Sequence, residues 1–293
     1  MNKQSYKPFI IIGLVIIGLE ILSMVASVSY ILINKLKIEK RDLVFYKNIA
    51  NNYQLSLENK IQENTDLRQQ LLQEEELVKS FRSNLDSLSS EVNTIVKLRN
   101  LDPELLKKYS KVYFLNENYV PKTLLQIDPQ YVTNSKEQYI HGNVLTFLYA
   151  LLEEAKKSNI DLKVKWGFRS FLEQYNIKTS DVITYGTGAN KFVADQGYSE
   201  HQLGTTVDFV TSEFNANSSL FYKTKAYQWL LENAYKYGFI LSYPENNKYY
   251  IFEPWHWRFV GIKLATRLHD ENKYFYDLDQ RDIDQYLIYI FDW

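Results

Sequence analysis

Three hydrophobic patterns follow one another along the chain. Residues 9–33, FIIIGLVIIGLEILSMVASVSYILI, are apolar at almost every position. A helix of that length reaches about 37 Å at 1.5 Å per residue, enough to cross a bilayer with some tilt. The pattern predicts a transmembrane anchor over 9–33, preceded by a short cytoplasmic tail, 1–8. A cleaved signal peptide is the rival, since Lys3 and Lys7 make a basic start and Val25-Ala26-Ser27 resembles a cleavage site. The apolar run continues past that point through Val28, Tyr30, Ile31, Leu32 and Ile33, which favours an uncleaved anchor. Glu20 falls inside the span, where a carboxyl costs roughly 2.5–3.5 kcal/mol by analogy with Asp, and a helical partner would relieve that cost. Ser23 and Ser27 have the small-xxx-small spacing that permits close helix approach.

The second pattern repeats every seven residues. One set of core positions reads Leu43, Ala50, Leu57, Asn64, Leu71, Val78, Leu85, Val92; the other reads Tyr46, Tyr53, Lys60, Leu67, Glu74, Phe81, Leu88, Ile95. Most are apolar, and neither Pro nor Gly interrupts them, so the stretch 40–98 predicts a coiled-coil stalk about 80 Å long. Asn64 at a core position would fix register, and Glu63 could pair with Arg68 across the seam. Together with Glu20 and the serine pair, this predicts a parallel homodimer. A long helix folding back on its own domain is the alternative.

Asp102-Pro103 ends the helical pattern, because proline disfavours helix in the residue before it. Over 101–293 short β-rich segments such as KVYFL and DLKVKWGF alternate with amphipathic stretches such as VLTFLYALLEEAKKSN and KAYQWLLENAYKYG. That mixture predicts an α+β domain.

Composition narrows the classes. Apolar residues make up 45%, with 24 Tyr and 16 Phe, ample for a packed core. The formal net charge is −1, which excludes the basic footprint of a nucleic-acid binder. Without cysteine there is neither disulfide nor thiolate metal site, so a metal would have to use His, Asp or Glu. Lys35, Lys37, Lys40 and Arg41 follow the span, against Lys3 and Lys7 before it. That bias alone places the C-terminal part in the cytoplasm, although long domains translocate regardless of flanking charge.

Two stretches carry candidate chemistry. In YSEHQLGTTVDFV, SEHQLG is turn-like with Gly204 at the bend and TTVDFV reads as a strand, so His201 precedes the strand and Asp208 lies within it. In KYYIFEPWHWRFVG, a strand interrupted or edged at Pro254, Glu253 and His256 project near the end. Two imidazoles and a carboxylate could hold Zn²⁺ with one position open, and a carboxylate beside them could move protons. On spacing alone a polar turn running into a strand remains open.

Three segments add a resemblance. SEHQLGTTVD resembles the Ser-Xaa-His-Xaa(6)-Asp motif of the LAS-type zinc peptidases, and EPWHWRFVG is similar to the Glu-Pro-Trp-His-Xaa-Arg form of their VanY-like D-alanyl-D-alanine carboxypeptidase branch. GFRSFLEQ resembles that branch's Gly-Tyr-Arg-Ser segment, and NENYVPKTLLQID its opening segment; the likeness runs over about 110–265. It implies a LAS-type zinc peptidase domain, 101–293, around a central antiparallel sheet. It implies His201, Asp208 and His256 as zinc ligands and Glu253 as general base and then acid. Arg169 would act on substrate carboxylate or oxyanion, with Gln174 and Ser199 in the substrate pocket and Trp255 and Arg258 in support. Leu203, Thr205 and Thr206 stand where relatives often have Thr, Leu and Ala, and Trp166 stands where Ser is common, departures that bear on substrate preference. The implied activity is removal of terminal D-alanine from peptidoglycan stem peptides on the envelope side of the membrane, against the charge bias. An endopeptidase on the same scaffold and a non-catalytic peptidoglycan-binding scaffold are the alternatives. His141 and His269 fit no motif and read as packing residues; YGTGAN, 185–190, lacks the context of a nucleotide loop.

Overall fold

The computed structural model describes residues 7–108, 113–133, 136–186, 188, 193–212 and 218–293. Most of the expected tail (1–6), Lys111 and Val112 of KVYFL, and Thr187, Ala189 and Asn190 of YGTGAN lie outside them. The chain divides into two compact units, Met1–Leu88 and Ser89–Trp293.

One helix, α1 (Lys7–Asn100, 94 residues), carries both the apolar run and the heptads, and none of its residues is buried. Its most apolar window has a mean hydropathy of 2.7, and it is the one helix among the described residues long and apolar enough to cross a membrane. Ser27 donates to the Ser23 carbonyl at 2.8 Å, Asn64 turns back to the Lys60 carbonyl at 3.1 Å, and Glu63 pairs with Lys60 within the chain. The helix stops where the Asp-Pro step requires: Asp102 accepts the Glu104 N–H and caps a 3₁₀ turn, Pro103–Leu106.

The second unit is mixed helix and sheet. Strands β1 (Leu124–Gln126) and β2 (Tyr139–His141) form an antiparallel pair. Strands β3 (Lys163–Trp166), β4 (Thr206–Val210), β5 (Phe239–Leu241) and β6 (His256–Phe259) form an antiparallel sheet of order β3-β4-β6-β5. β4 is central and every one of its residues is buried. Alternation sends Val207 and Phe209 to one face and Thr206 and Asp208 to the other.

Helix α2 (Leu145–Lys157) buries Leu148, Leu151, Leu152 and Ala155 along a stripe of helical period, and its Phe147 ring lies 4.8 Å from that of Phe259. Helix α3 (Phe171–Tyr185) begins with a capping box in which Ser170 and Glu173 exchange side-chain and backbone hydrogen bonds. Helices α4 (Lys225–Asn233), α5 (Ile262–Asp270) and α6 (Gln280–Asp284) complete the unit, α4 and α5 burying Leu230, Leu264, Ala265 and Leu268.

Two expected strands differ. Residues 113–115 of KVYFL form no strand, and KYYIFEPWHWRFVG contributes only His256–Phe259. Pro254 has no N–H to offer a ladder, and the His256 N–H is taken by the Glu253 carbonyl at 3.1 Å in a turn. Glu253 therefore sits on a loop, and His256 opens the strand.

Candidate active site

The spacing of seven between His201 and Asp208 works through a turn and a strand. His201 belongs to a 3₁₀ turn, Glu200–Leu203, that closes on Gly204 at φ 69°, a left-handed conformation favouring glycine. The chain then enters β4 and returns Asp208 beneath the turn, with Oδ2 3.3 Å from His201 Nε2. The β4–β6 register sets Asp208 opposite His256, with Oδ1 3.1 Å from His256 Nδ1. The His201, Asp208 and His256 donor atoms all lie within 4.8 Å of one another, and all three side chains are buried.

Each imidazole is also held from behind. His201 Nδ1 donates to the Gly167 carbonyl at 2.7 Å, and burial depresses its pKa, so its Nε2 turns a lone pair towards Asp208. His256 Nε2 lies 3.0 Å from Glu200 Oε2. Burial opposes the charging of His256, but the hydrogen bonds to Asp208 and Glu200 prevail and raise its pKa to about 10. Asp208 is held well below the usual carboxylate range: burial raises its pKa, and the two histidines more than reverse that. A lone pair and a carboxylate facing each other in a dry pocket call for a cation. Two imidazole nitrogens plus one carboxylate form a donor set that fits a catalytic divalent metal, leaving a coordination position for substrate chemistry.

Glu253 and Arg169 complete the setting. Glu253 Oε2 lies 3.6 Å from His256 Nδ1, and the Glu253 N–H donates to the Tyr243 carbonyl at 3.0 Å. Burial raises the Glu253 pKa to about 7, against the pull of His256. Arg169 follows the bulge that interrupts the β3–β4 register between Val164 and Trp166. The chain then passes Gly167, where a Cβ would stand 2.4 Å from the Tyr139 carbonyl oxygen, so only glycine fits. Arg169 Nη1 donates to Gln174 Oε1 at 2.8 Å, and Gln174 Nε2 to the Ala194 carbonyl at 2.8 Å, so Gln174 fixes the guanidinium. Arg169, Gln174, Ser199, Glu253 and Trp255 line a cleft of about 230 Å³ together with the His-Asp-His cluster. Ser199 precedes the 3₁₀ turn without a side-chain capping bond.

His141 and His269 lie apart from this cluster in packing roles. His141 stacks on Phe291 at 5.1 Å and accepts the Asn143 N–H, and His269 stacks on Tyr235 at 3.7 Å.

Glu200 was missed by sequence reasoning. It is fully buried and accepts from Arg258 Nη1 at 2.8 Å, Ser242 Oγ at 2.9 Å and Tyr276 Oη at 2.7 Å. Burial would raise its pKa, but Arg258 and His256 lower it to about 2. Burial and the nearby Glu200 push the Tyr243 and Tyr276 phenols well above the usual tyrosine range. A signal was present: Arg258 is two residues beyond His256 on a strand, hence on the same buried face, and a buried guanidinium requires a carboxylate.

Comparison with known proteins places the chain in a family. Residues 137–262 match the family model described as VanY, D-alanyl-D-alanine carboxypeptidase. The chain is 35% identical over 193 residues to YodJ of Bacillus subtilis, named as a carboxypeptidase, covering 61% of this chain and 70% of that one. It is 29% identical over 194 residues to a D-alanyl-D-alanine carboxypeptidase of Enterococcus faecalis, covering 62% and 69%. Among solved structures, the LD-carboxypeptidase LdcB superposes with a TM-score of 0.54 at 34% identity, over 60% of this chain and 86% of that one. A mutant of the vancomycin-resistance D,D-pentapeptidase VanY in complex with Zn(II) superposes with a TM-score of 0.50 at 26% identity, over 59% and 97%. The family match and the structural neighbours define a peptidase, a hydrolase of the carboxypeptidase class. The chain belongs to the VanY family of D-alanyl-D-alanine carboxypeptidases.

Proposed function

We propose that the chain is a membrane-anchored zinc carboxypeptidase that removes the terminal D-alanine from peptidoglycan stem peptides during wall remodelling. The observation that carries this is the meeting of His201 Nε2, Asp208 and His256 Nδ1 in one cleft with Glu253 and Arg169. The Zn(II) complex of the related VanY and the D-alanyl-D-alanine and LD activities named for the relatives support the choice of metal and substrate.

His201, Asp208 and His256 would hold the zinc. When bound, zinc supplies Lewis acidity, polarising the scissile carbonyl and easing ionisation of the attacking water. Glu253, a carboxylate at the edge of this cluster, takes the proton of the water and passes it to the departing D-alanine amine. Arg169, steadied by Gln174, binds the substrate's terminal carboxylate with its planar pair of donors. That contact selects a free C-terminus and so favours carboxypeptidase over endopeptidase action. Ser199 lines the same cleft and offers a hydroxyl to the peptide. Trp255 helps close the cleft around the reacting bond.

The rest of the assignment concerns delivery. The apolar stretch 9–33 of α1 would anchor the enzyme, with 1–8 as the cytoplasmic tail and the catalytic unit on the envelope side. The apolar heptad positions over 40–98, exposed along α1, would pair with a second copy as a parallel coiled coil.

Defined tetra- and pentapeptide stems test the assignment. Release of one free D-alanine is expected: loss from a pentapeptide marks a D,D bond and loss from a tetrapeptide an L,D bond. Cleavage only within the stem or at crosslinks would overturn the carboxypeptidase reading.

A further inference from the structure

A buried ion pair lies directly behind the metal-ligand cluster. Glu200 and Arg258 are both wholly buried and meet at 2.8 Å. Such a pair contributes little net stability, because desolvation offsets the Coulomb gain, so its presence asks for another reason.

The hydrogen bonds supply one. Oε1 of Glu200 is occupied by Arg258 Nη1, Ser242 Oγ and Tyr276 Oη at 2.8, 2.9 and 2.7 Å. Among the described residues Oε2 is left for one partner, His256 Nε2, at 3.0 Å. Arg258 is anchored in turn by the Leu105 carbonyl at 2.8 Å. The face of the His256 ring lies against Tyr243 at 4.1 Å, nearly parallel at 13°. The carboxylate cannot rotate without breaking three hydrogen bonds, and the ring, held in its plane by the stack on Tyr243, cannot flip without losing its acceptor.

We propose that Glu200 is a positioning residue: by holding the hydrogen of His256 on Nε2, it obliges that ring to present Nδ1 to the metal. The proposal rests on the reading of His201, Asp208 and His256 as the metal site. Glu200 touches neither substrate nor reacting atoms and acts only through His256.

Glu200→Gln is the discriminating substitution, since it keeps shape and removes the second acceptor oxygen. If the amide oxygen still receives Ser242, Tyr276 and Arg258, the amide NH₂ faces His256. That arrangement favours a lone pair on Nε2 and a hydrogen on Nδ1, the nitrogen that should bind the metal. Zinc affinity of the full chain in detergent is measured by competition with a chromogenic chelator, with circular dichroism as the check on folding. The folded Gln variant should bind zinc ~10–100-fold more weakly than wild type. Affinity within about twofold of wild type would overturn the proposal, the lower end of that range being fivefold beyond it.

If the variant does not fold, the ring nitrogens of His256 in ¹⁵N-histidine-labelled, zinc-loaded wild type decide instead. A hydrogen on Nε2, slow to exchange, is expected, and a hydrogen on Nδ1 would overturn the proposal. A wild-type chain that binds no zinc would overturn the site reading, and this inference with it.

Discussion

Asp208 and His256 face each other across the register of two antiparallel strands, with carboxylate oxygen and imidazole nitrogen 3.1 Å apart. A strand pair is a rigid frame, so the separation of these two groups is set by backbone hydrogen bonds rather than side-chain freedom. His201, on a glycine-closed turn immediately before the same strand, joins them at 3.3 Å. Placing the cluster on the sheet gives it the precision that a metal site requires.

Glu253 stands on a loop beside this frame, and the proposed mechanism gives it a different role. Glu253→Gln should lower kcat on the order of 10²–10⁴-fold, the usual worth of a positioned general base. Bound metal should be retained, because Glu253 is not among the three converging donors. Steady-state kinetics on a stem pentapeptide and metal content of the same sample check both halves. Activity near wild type removes Glu253 from the mechanism.

Arg169 is fixed by Gln174 at 2.8 Å and lies at the cleft, 5.9 Å from the Trp166 ring. A hydrogen bond to a charged group is worth about 1.5–3 kcal/mol, so Arg169→Ala should reduce kcat/KM by roughly 10–100-fold. Amidating the C-terminus of the substrate should reproduce most of that loss in wild type and add little in the variant. Equal turnover of free and amidated peptides by wild type would refute the carboxylate clamp.

His141 gives a pH dependence. Burial lowers its pKa, and its Nδ1 accepts the Asn143 N–H, which only the neutral ring can do. A depressed folded-state pKa means that this contribution is complete above the unfolded value, near 6.5. It is lost as pH falls through the folded value. Thermal melts of wild type should therefore drop between pH 7.5 and 5.5, and His141→Asn, which keeps a capping acceptor but cannot titrate, should show a shallower drop. Identical slopes would remove His141 from the acid sensitivity.

The proposed coiled-coil stalk makes a separate prediction. Leu57, Leu71 and Leu85 are 62%, 57% and 61% exposed on α1, more apolar surface than an isolated helix keeps in water. Replacing Leu57 and Leu71 with Lys should convert the detergent-solubilised chain from dimer to monomer in sedimentation equilibrium. A wild-type chain that is already monomeric would end the coiled-coil account.

How much of this the sequence disclosed depended on how local the cause was. The long helix, its stop at Asp102-Pro103, the turn at Gly204 and the strand holding Asp208 each follow from a few neighbouring residues, and all are present. α3 was not anticipated, although Ser170 and Glu173 stand at the spacing of a capping box. The strand expected around Pro254 begins only at His256, because Pro254 has no N–H to offer a ladder and the Glu253 carbonyl takes the His256 N–H in a turn. Arg258 signals that some carboxylate lies behind His256, but which one depends on Ser242, Arg258 and Tyr276 converging on Glu200, and only the fold brings them together. Composition shows that the chain can bury a core but not which charged pair that core will enclose.

Metal content tests the central claim most directly. Elemental analysis of the purified full chain should find one zinc per chain. Chelation should abolish D-alanine release, added zinc should restore it, and His256→Ala should lose both metal and activity. A chain that hydrolyses stem peptides with no stoichiometric transition metal, unaffected by chelator, would contradict the account.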